Sequence, residues 1–145
     1  DHVTSEIRLL PADDPFAGRA SIDPAELRGR QVLGMRSGFH LHDKIRALCE
    51  EHGARFLSEY EGTSLDALRQ MVGMGMGLTF LPALYVQSEV TGRSDVAAVP
   101  LAGRPITRSI GLVWRERSGQ VQVFEKIAAV MREIAGKSCS GITLE

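Results

Sequence analysis

The apolar residues of this chain change period repeatedly along its length, and that alternation limits the fold more than any single motif does. Residues 6–10 have strand character and run into the turn Asp13-Asp14-Pro15. Asp23-Pro24-Ala25-Glu26 reads as a helix start, with Asp23 as cap, Pro24 in the first turn and Glu26 completing a capping box. Gly29 ends that short helix, and residues 30–35 form a second strand. Leu41, Ile45, Leu48 and Cys49 then fall on one helical face, predicting a helix over 41–52 that stops at Gly53. Residues 54–60 return to strand character. Thr63 and Asp66 read as a capping box opening a helix over 64–74, with Leu65, Leu68, Met71 and Val72 inward. A short buried strand (78–81), a further short helix from Pro82, a strand over 107–114 and an amphipathic helix over 121–135 follow. That last helix carries Val121, Phe124, Ile127, Ala128, Met131 and Ala135 on its inward face. Strands and helices alternating at these lengths imply an α/β sandwich with a mainly parallel sheet.

Composition excludes several function classes. With 17 basic and 18 acidic residues the formal net charge is −1, so these residues have no electrostatic footprint for nucleic acid. The longest uncharged apolar stretch, 71–86, is short and broken by glycine and proline, so we expect no membrane span. Cys49 and Cys139 stand 90 positions apart, which is no disulfide framework and suggests a reducing, cytoplasmic setting. The chain opens at Asp1 without an initiator Met, so we expect a fragment of a longer protein. Residues 137–145 read as a frayed or disordered tail.

Candidate binding residues gather where strands give way to helices. Arg36-Ser37-Gly38-Phe39-His40 follows one strand and opens a helix, so backbone N–H groups face whatever lies beyond the strand ends. That arrangement favours a small anion or carboxylate, although a solvated turn satisfies the same spacing. Thr63 and Ser64 open the next helix, where a hydroxyl either caps its own helix or reaches a ligand. Thr79 joins this candidate set, with packing as its simpler role. His40, His42, Cys49 and His52 do not make a metal set. At about 1.5 Å per residue, His42 and His52 lie roughly 15 Å apart along a helix, against about 2.0–2.3 Å from each ligand to a zinc ion. The run Gly73-Met74-Gly75-Met76-Gly77 leaves a helix and enters a strand, the reverse of a dinucleotide loop. No catalytic triad, Cys-His pair or carboxylate pair is legible, so we expect neither an enzyme nor a cofactor.

The segment Gly62-Thr63-Ser64-Leu65-Asp66-Ala67-Leu68-Arg69-Gln70-Met71-Val72-Gly73-Met74-Gly75-Met76-Gly77-Leu78-Thr79-Phe80-Leu81-Pro82 resembles LysR-type transcriptional regulators. It has their threonine-serine pair, helix, glycine pair, short strand and Leu-Pro in the same order. Asp14-Pro15-Phe16-Ala17 and Leu27-Arg28-Gly29 add weaker likenesses. The resemblance implies a periplasmic-binding-protein-like (type II) three-layer sandwich, here one lobe plus the returning C-terminal strand and helix. Residues 1–136 would be the C-terminal part of the effector-binding domain of a bacterial, dimeric regulator. Promoter DNA would be held by an N-terminal helix-turn-helix outside this chain. The resemblance implies effector binding at Arg36, Ser37, Gly38, Phe39, His40, Thr63, Ser64 and Thr79, and a dimer contact through Leu68, Met71 and Met74. A solute-binding module of a transport system with the same fold is the alternative. Within the family, the peroxide-sensing, OxyR-like branch is most similar: its sensing loop Gly-His-Cys-Leu-Arg-Asp matches Gly38-Phe39-His40-Leu41-His42-Asp43, and Cys49 matches its second cysteine. The reactive cysteine's place is taken by His40.

Overall fold

The computed structural model describes residues 2–103, 107–115, 117, 119–138 and 142–144. They fall into two compact units, Glu6–Pro105 and Asp1–Ser5 with Ile106–Glu145.

In the larger unit, β2 (Gln31–Met35) pairs in parallel with β3 (Arg55–Gly62). On its other side β2 forms a parallel bridge to Leu78, through Leu33 N–H to Leu78 O at 2.8 Å and Leu78 N–H to Gln31 O at 3.0 Å. Leu78 leads into β4 (Thr79–Pro82), which lies antiparallel to the long strand β1 (His2–Pro11). Beyond β1 lies β5 (Val96–Val99), again antiparallel. The parallel pairing expected from sequence therefore runs from β3 through β2 to Leu78, and β1 makes the sheet mixed. Helical crossovers link β2, β3 and β4 and return the chain in the same direction each time, as parallel pairing requires. The sequence did not announce β5: Val-Ala-Ala-Val lacks both alternation and length.

Helices cover both faces of this sheet. Strand β2 is buried at Val32, Leu33, Gly34 and Met35, as a strand sandwiched between two layers must be. Its odd-numbered residues Leu33 and Met35 join Leu57, Leu68, Val72, Leu81, Val86, Val90 and Val96 in one core, where α2 (Leu65–Gly73) supplies Leu68 and Val72. The opposite face has Gly34 against Phe56, whose ring stacks edge-on at 5.3 Å against His42 of α1 (His40–His52). A Cβ at Gly34 would sit 2.5 Å from the Phe56 ring, so glycine is what allows that close approach. Each fully buried leucine here contributes about 1.5–3 kcal/mol of burial. The caps predicted at Asp23 and Gly53 form: Asp23 accepts from Ala25 N–H at 2.8 Å, Glu26 from Asp23 N–H at 3.0 Å, and Gly53 closes α1 in the left-handed region. The short helix expected from Pro82 is α3 (Ala83–Tyr85), continued by a π-turn over Val86–Val90.

In the smaller unit the first residues of β1 pair antiparallel with β6 (Thr107–Ile110) and β7 (Ile142–Leu144). The strand expected over 107–114 ends at Ile110, which is in register with His2. Helix α4 spans Val121–Ser138. The tail expected to fray from 137 instead completes α4 and then adds β7, whose backbone is held by the β1 ladder; Cys139 lies outside the described residues. Of the inward face expected for α4, Ala128 is buried and Phe124 packs against Trp114 with ring centroids 6.0 Å apart. Ile127 and Met131 are instead exposed, alongside Val123, Val130 and Ile134.

Candidate functional site

The parallel pairing of β2 and β3 brings the two predicted loop segments to one sheet edge. Met35 is in register with Gly62, and one residue further on Arg36 N–H donates to Gly62 O at 3.1 Å. The turn 36–39 leaves β2 here and the turn 63–64 leaves β3, so α1 and α2 both start from this edge.

On the first lip, Gly38 takes a φ of +95°, which re-aims the chain into α1. Phe39 is the N-cap residue, and its side chain makes no capping hydrogen bond because it carries no acceptor. No side-chain cap thus covers the positive end of this thirteen-residue helix, where the His42 N–H is taken by Phe39 O at 2.9 Å. Arg36, Ser37, Gly38, Phe39 and His40 are all exposed, and the Arg36 guanidinium lies 5.9 Å from the centroid of the Phe39 ring. This lip offers two cationic or ionisable side chains and an apolar ring at the start of a helix.

On the second lip, Ser64 rather than Thr63 is the cap: its Oγ accepts from Ala67 N–H at 3.1 Å. Thr63 is exposed, and Asp66 is drawn away from any capping box. Asp66 accepts from the Tyr85 hydroxyl at 2.6 Å and from Arg69 Nε at 3.4 Å. The Tyr85 hydrogen bond, with help from Arg69, holds the Asp66 carboxyl below the usual carboxylate range. Arg69 is buried and also reaches Asp95 Oδ2 at 3.6 Å, tying α2 to the turn before β5.

Thr79 lies apart from both lips. It is fully buried, and its hydroxyl donates to Leu33 O at 2.8 Å, the structural role that its place on a short strand suggested. Among the expected contact residues, Leu68 is fully buried in its own unit and packed over Gly62, so it is no surface residue. Met71 is half-buried against the core, and Met74 stands 70% exposed at the end of α2.

Sequence reasoning missed His42 and Glu61. The His42 side chain is buried beneath the first lip, with Nδ1 3.0 Å from Asp43 Oδ1 and Nε2 4.0 Å from Glu61 Oε1. A signal was present: His42 stands three residues before Ile45 and seven before Cys49, on the apolar face of α1. Cys49 is 2% exposed, and its thiol is pushed up to about 11, chiefly by burial and further by the charge of Glu50.

A profile of the LysR substrate binding domain matches residues 5–135. The chain belongs to the LysR substrate-binding-domain family. The DNA-binding transcriptional dual regulator OxyR of Escherichia coli K12 is 37% identical over 120 residues, covering 83% of this chain and 39% of that protein. The transcriptional dual regulator GltC of Bacillus subtilis is 30% identical over 105 residues, covering 72% of this chain and 34% of its own length. The crystal structure of the reduced form of OxyR superposes with a TM-score of 0.77 at 30% identity, covering 95% of this chain and 64% of that one. This LysR-family chain thus spans about two fifths of the curated relatives it matches. Its architecture is the type II periplasmic-binding-protein-like fold. Among the described residues no helix is long and apolar enough to cross a membrane.

Proposed function

We propose that residues 1–136 are the C-terminal part of the effector-binding domain of a cytoplasmic LysR-type transcription regulator. A small anion or carboxylate binds between the two lips, using Arg36, Ser37, Gly38, Phe39, His40 and Thr63. Ser64 contributes through the helix start that it caps. The observation that carries this reading is the hydrogen bond from Arg36 N–H to Gly62 O, which joins two helix N-termini at one sheet edge. Effector binding shifts the balance between conformations of a homodimer, and so changes the grip of a helix-turn-helix on promoter DNA. Met71 and Met74 are the contact residues that remain available on α2. The domain performs no chemistry on its effector.

The same reading makes the protein something other than a cysteine-based peroxide switch. His40 cannot form a sulfenic acid or a disulfide, and a thiol titrating near 11 holds very little thiolate at neutral pH.

The coding sequence upstream of the Asp1 codon tests the proposal. The expected result is a winged helix-turn-helix followed by the first half of the effector domain. A signal peptide followed by a complete first lobe would overturn it in favour of a transport-system binding module.

A further inference from the structure

We propose that His42 is a proton-responsive strut that sets the spacing between the two lips of the site. Its imidazole is buried in the first turn of α1, between a carboxylate of its own helix and one of β3. From its own helix, Asp43 presents Oδ1 to Nδ1 at 3.0 Å; from β3, Glu61 presents Oε1 to Nε2 at 4.0 Å, and Phe56 closes the remaining side edge-on. Strand β2 meets this cluster through Gly34, which carries no charge. A neutral imidazole has one N–H and can donate to only one of these carboxylates, turning a lone pair toward the other. The imidazolium donates to both. Protonation therefore draws Glu61 in from ion-pair distance, and imidazole is the side chain whose charge changes between about pH 5 and 8.

The movement has a direct route to the lips. Glu61 is followed by Gly62, whose carbonyl accepts the Arg36 N–H, and then by Thr63 and the α2 cap Ser64. On the other side His42 N–H donates to Phe39 O at 2.9 Å, so ring and first lip share a turn. Strand β3 can shift here because its pairing with β2 slips: Val32 faces Phe56 while Gly34, only two residues on, faces Glu61. The strut's relevance to effector binding rests on the function proposed above, whereas the strut itself needs no ligand.

Nuclear magnetic resonance of the wild-type chain between pH 5 and 8, following histidine rings and backbone amides together, tests it. The expected result is that amides of residues 36–41 and 61–64 shift with the same midpoint as the His42 ring. The shifts should persist in His40→Asn and disappear in His42→Gln. Amides at 61–64 that stay fixed while His42 titrates would overturn the proposal, as would shifts that vanish in His40→Asn. Neither result depends on His42→Gln folding. Sulfate titrated into the same samples keeps the two ideas apart: sulfate perturbing 36–41 while residues 61–64 ignore His42 removes the strut and leaves the binding site standing.

Discussion

Leu68 packs closely over Gly62 beneath the second lip, and a double-mutant cycle on the two residues tests the packing that holds it. A Cβ placed on Gly62 would lie 2.5 Å from Leu68 Cγ and 2.6 Å from Cδ2. Ordinary carbon contacts lie at about 3.5–4.0 Å, so the added methyl overlaps Leu68 by about 1 Å. Leu68 is fully buried and cannot swing into solvent. Gly62→Ala alone should cost about 1–3 kcal/mol, the usual penalty for overpacking. Leu68→Ala alone removes three carbons from a closed core and should cost about 2–5 kcal/mol. In the double variant the new methyl enters space that Leu68 has vacated, so most of the overpacking penalty disappears. The pair should be less destabilised than the sum of the singles by at least about 1 kcal/mol. Urea denaturation followed by circular dichroism reads all four corners of the cycle. Additivity within about 0.5 kcal/mol would refute the reasoning, because it would mean that the residue 62 side chain does not meet Leu68.

Ser64→Ala should cost about 1 kcal/mol by uncapping α2, whereas Thr63→Ala should leave stability nearly unchanged; urea denaturation separates them. Cys49 should remain reduced after peroxide treatment of the folded chain, as counted by thiol titration after unfolding. Rapid stoichiometric pairing of Cys49 with Cys139 would contradict that. Because burial raises the Cys49 thiol to about 11, its stabilising contribution is complete below about pH 8.5, the unperturbed thiol value, and is lost as pH rises toward 11. Cys49→Ser or Cys49→Ala should flatten that part of the stability profile. The exposed stripe on α4 should drive self-association of the chain. Ile127→Asp should therefore reduce association in sedimentation more than Phe124→Asp does, since Phe124 is already covered by Trp114.

Much of the fold could be read from the sequence because its determinants are local. Asp23-Pro24 and Gly53 set helix ends by chemistry within a few residues, and α1 and α2 follow their apolar spacing closely. What escaped depends on partners distant in sequence. Strand β5 exists because β1 lies beside it, and β6 and β7 because the other end of β1 does. The two loop segments proposed to bind an effector were legible as loops, because their strand ends and helix starts are marked by Gly38, Thr63 and Ser64. Which hydroxyl caps α2 was not legible, since Thr63 and Ser64 are adjacent and Asp66 is claimed by Tyr85, nineteen residues away. Apolar spacing placed Leu68 inward on α2, where it lies; its place in a contact surface came from the family resemblance, which assigns a helix to an interface without saying which of its faces meets its own sheet. His42 was overlooked because only the fold brings Glu61 and Phe56 to its ring.

The claim that the β2–β3 edge binds a small anion is tested most directly by mapping backbone amide shifts as acetate or sulfate is titrated into the chain at constant ionic strength. The account predicts saturable shifts confined to residues 36–41 and 62–66, weakened by Arg36→Ala and by Ser37→Ala. Shifts centred elsewhere, for instance around the Asp14–Arg30 ion pair beside Gly29 and Gly77, or shifts at 36–41 indifferent to both substitutions, would contradict it.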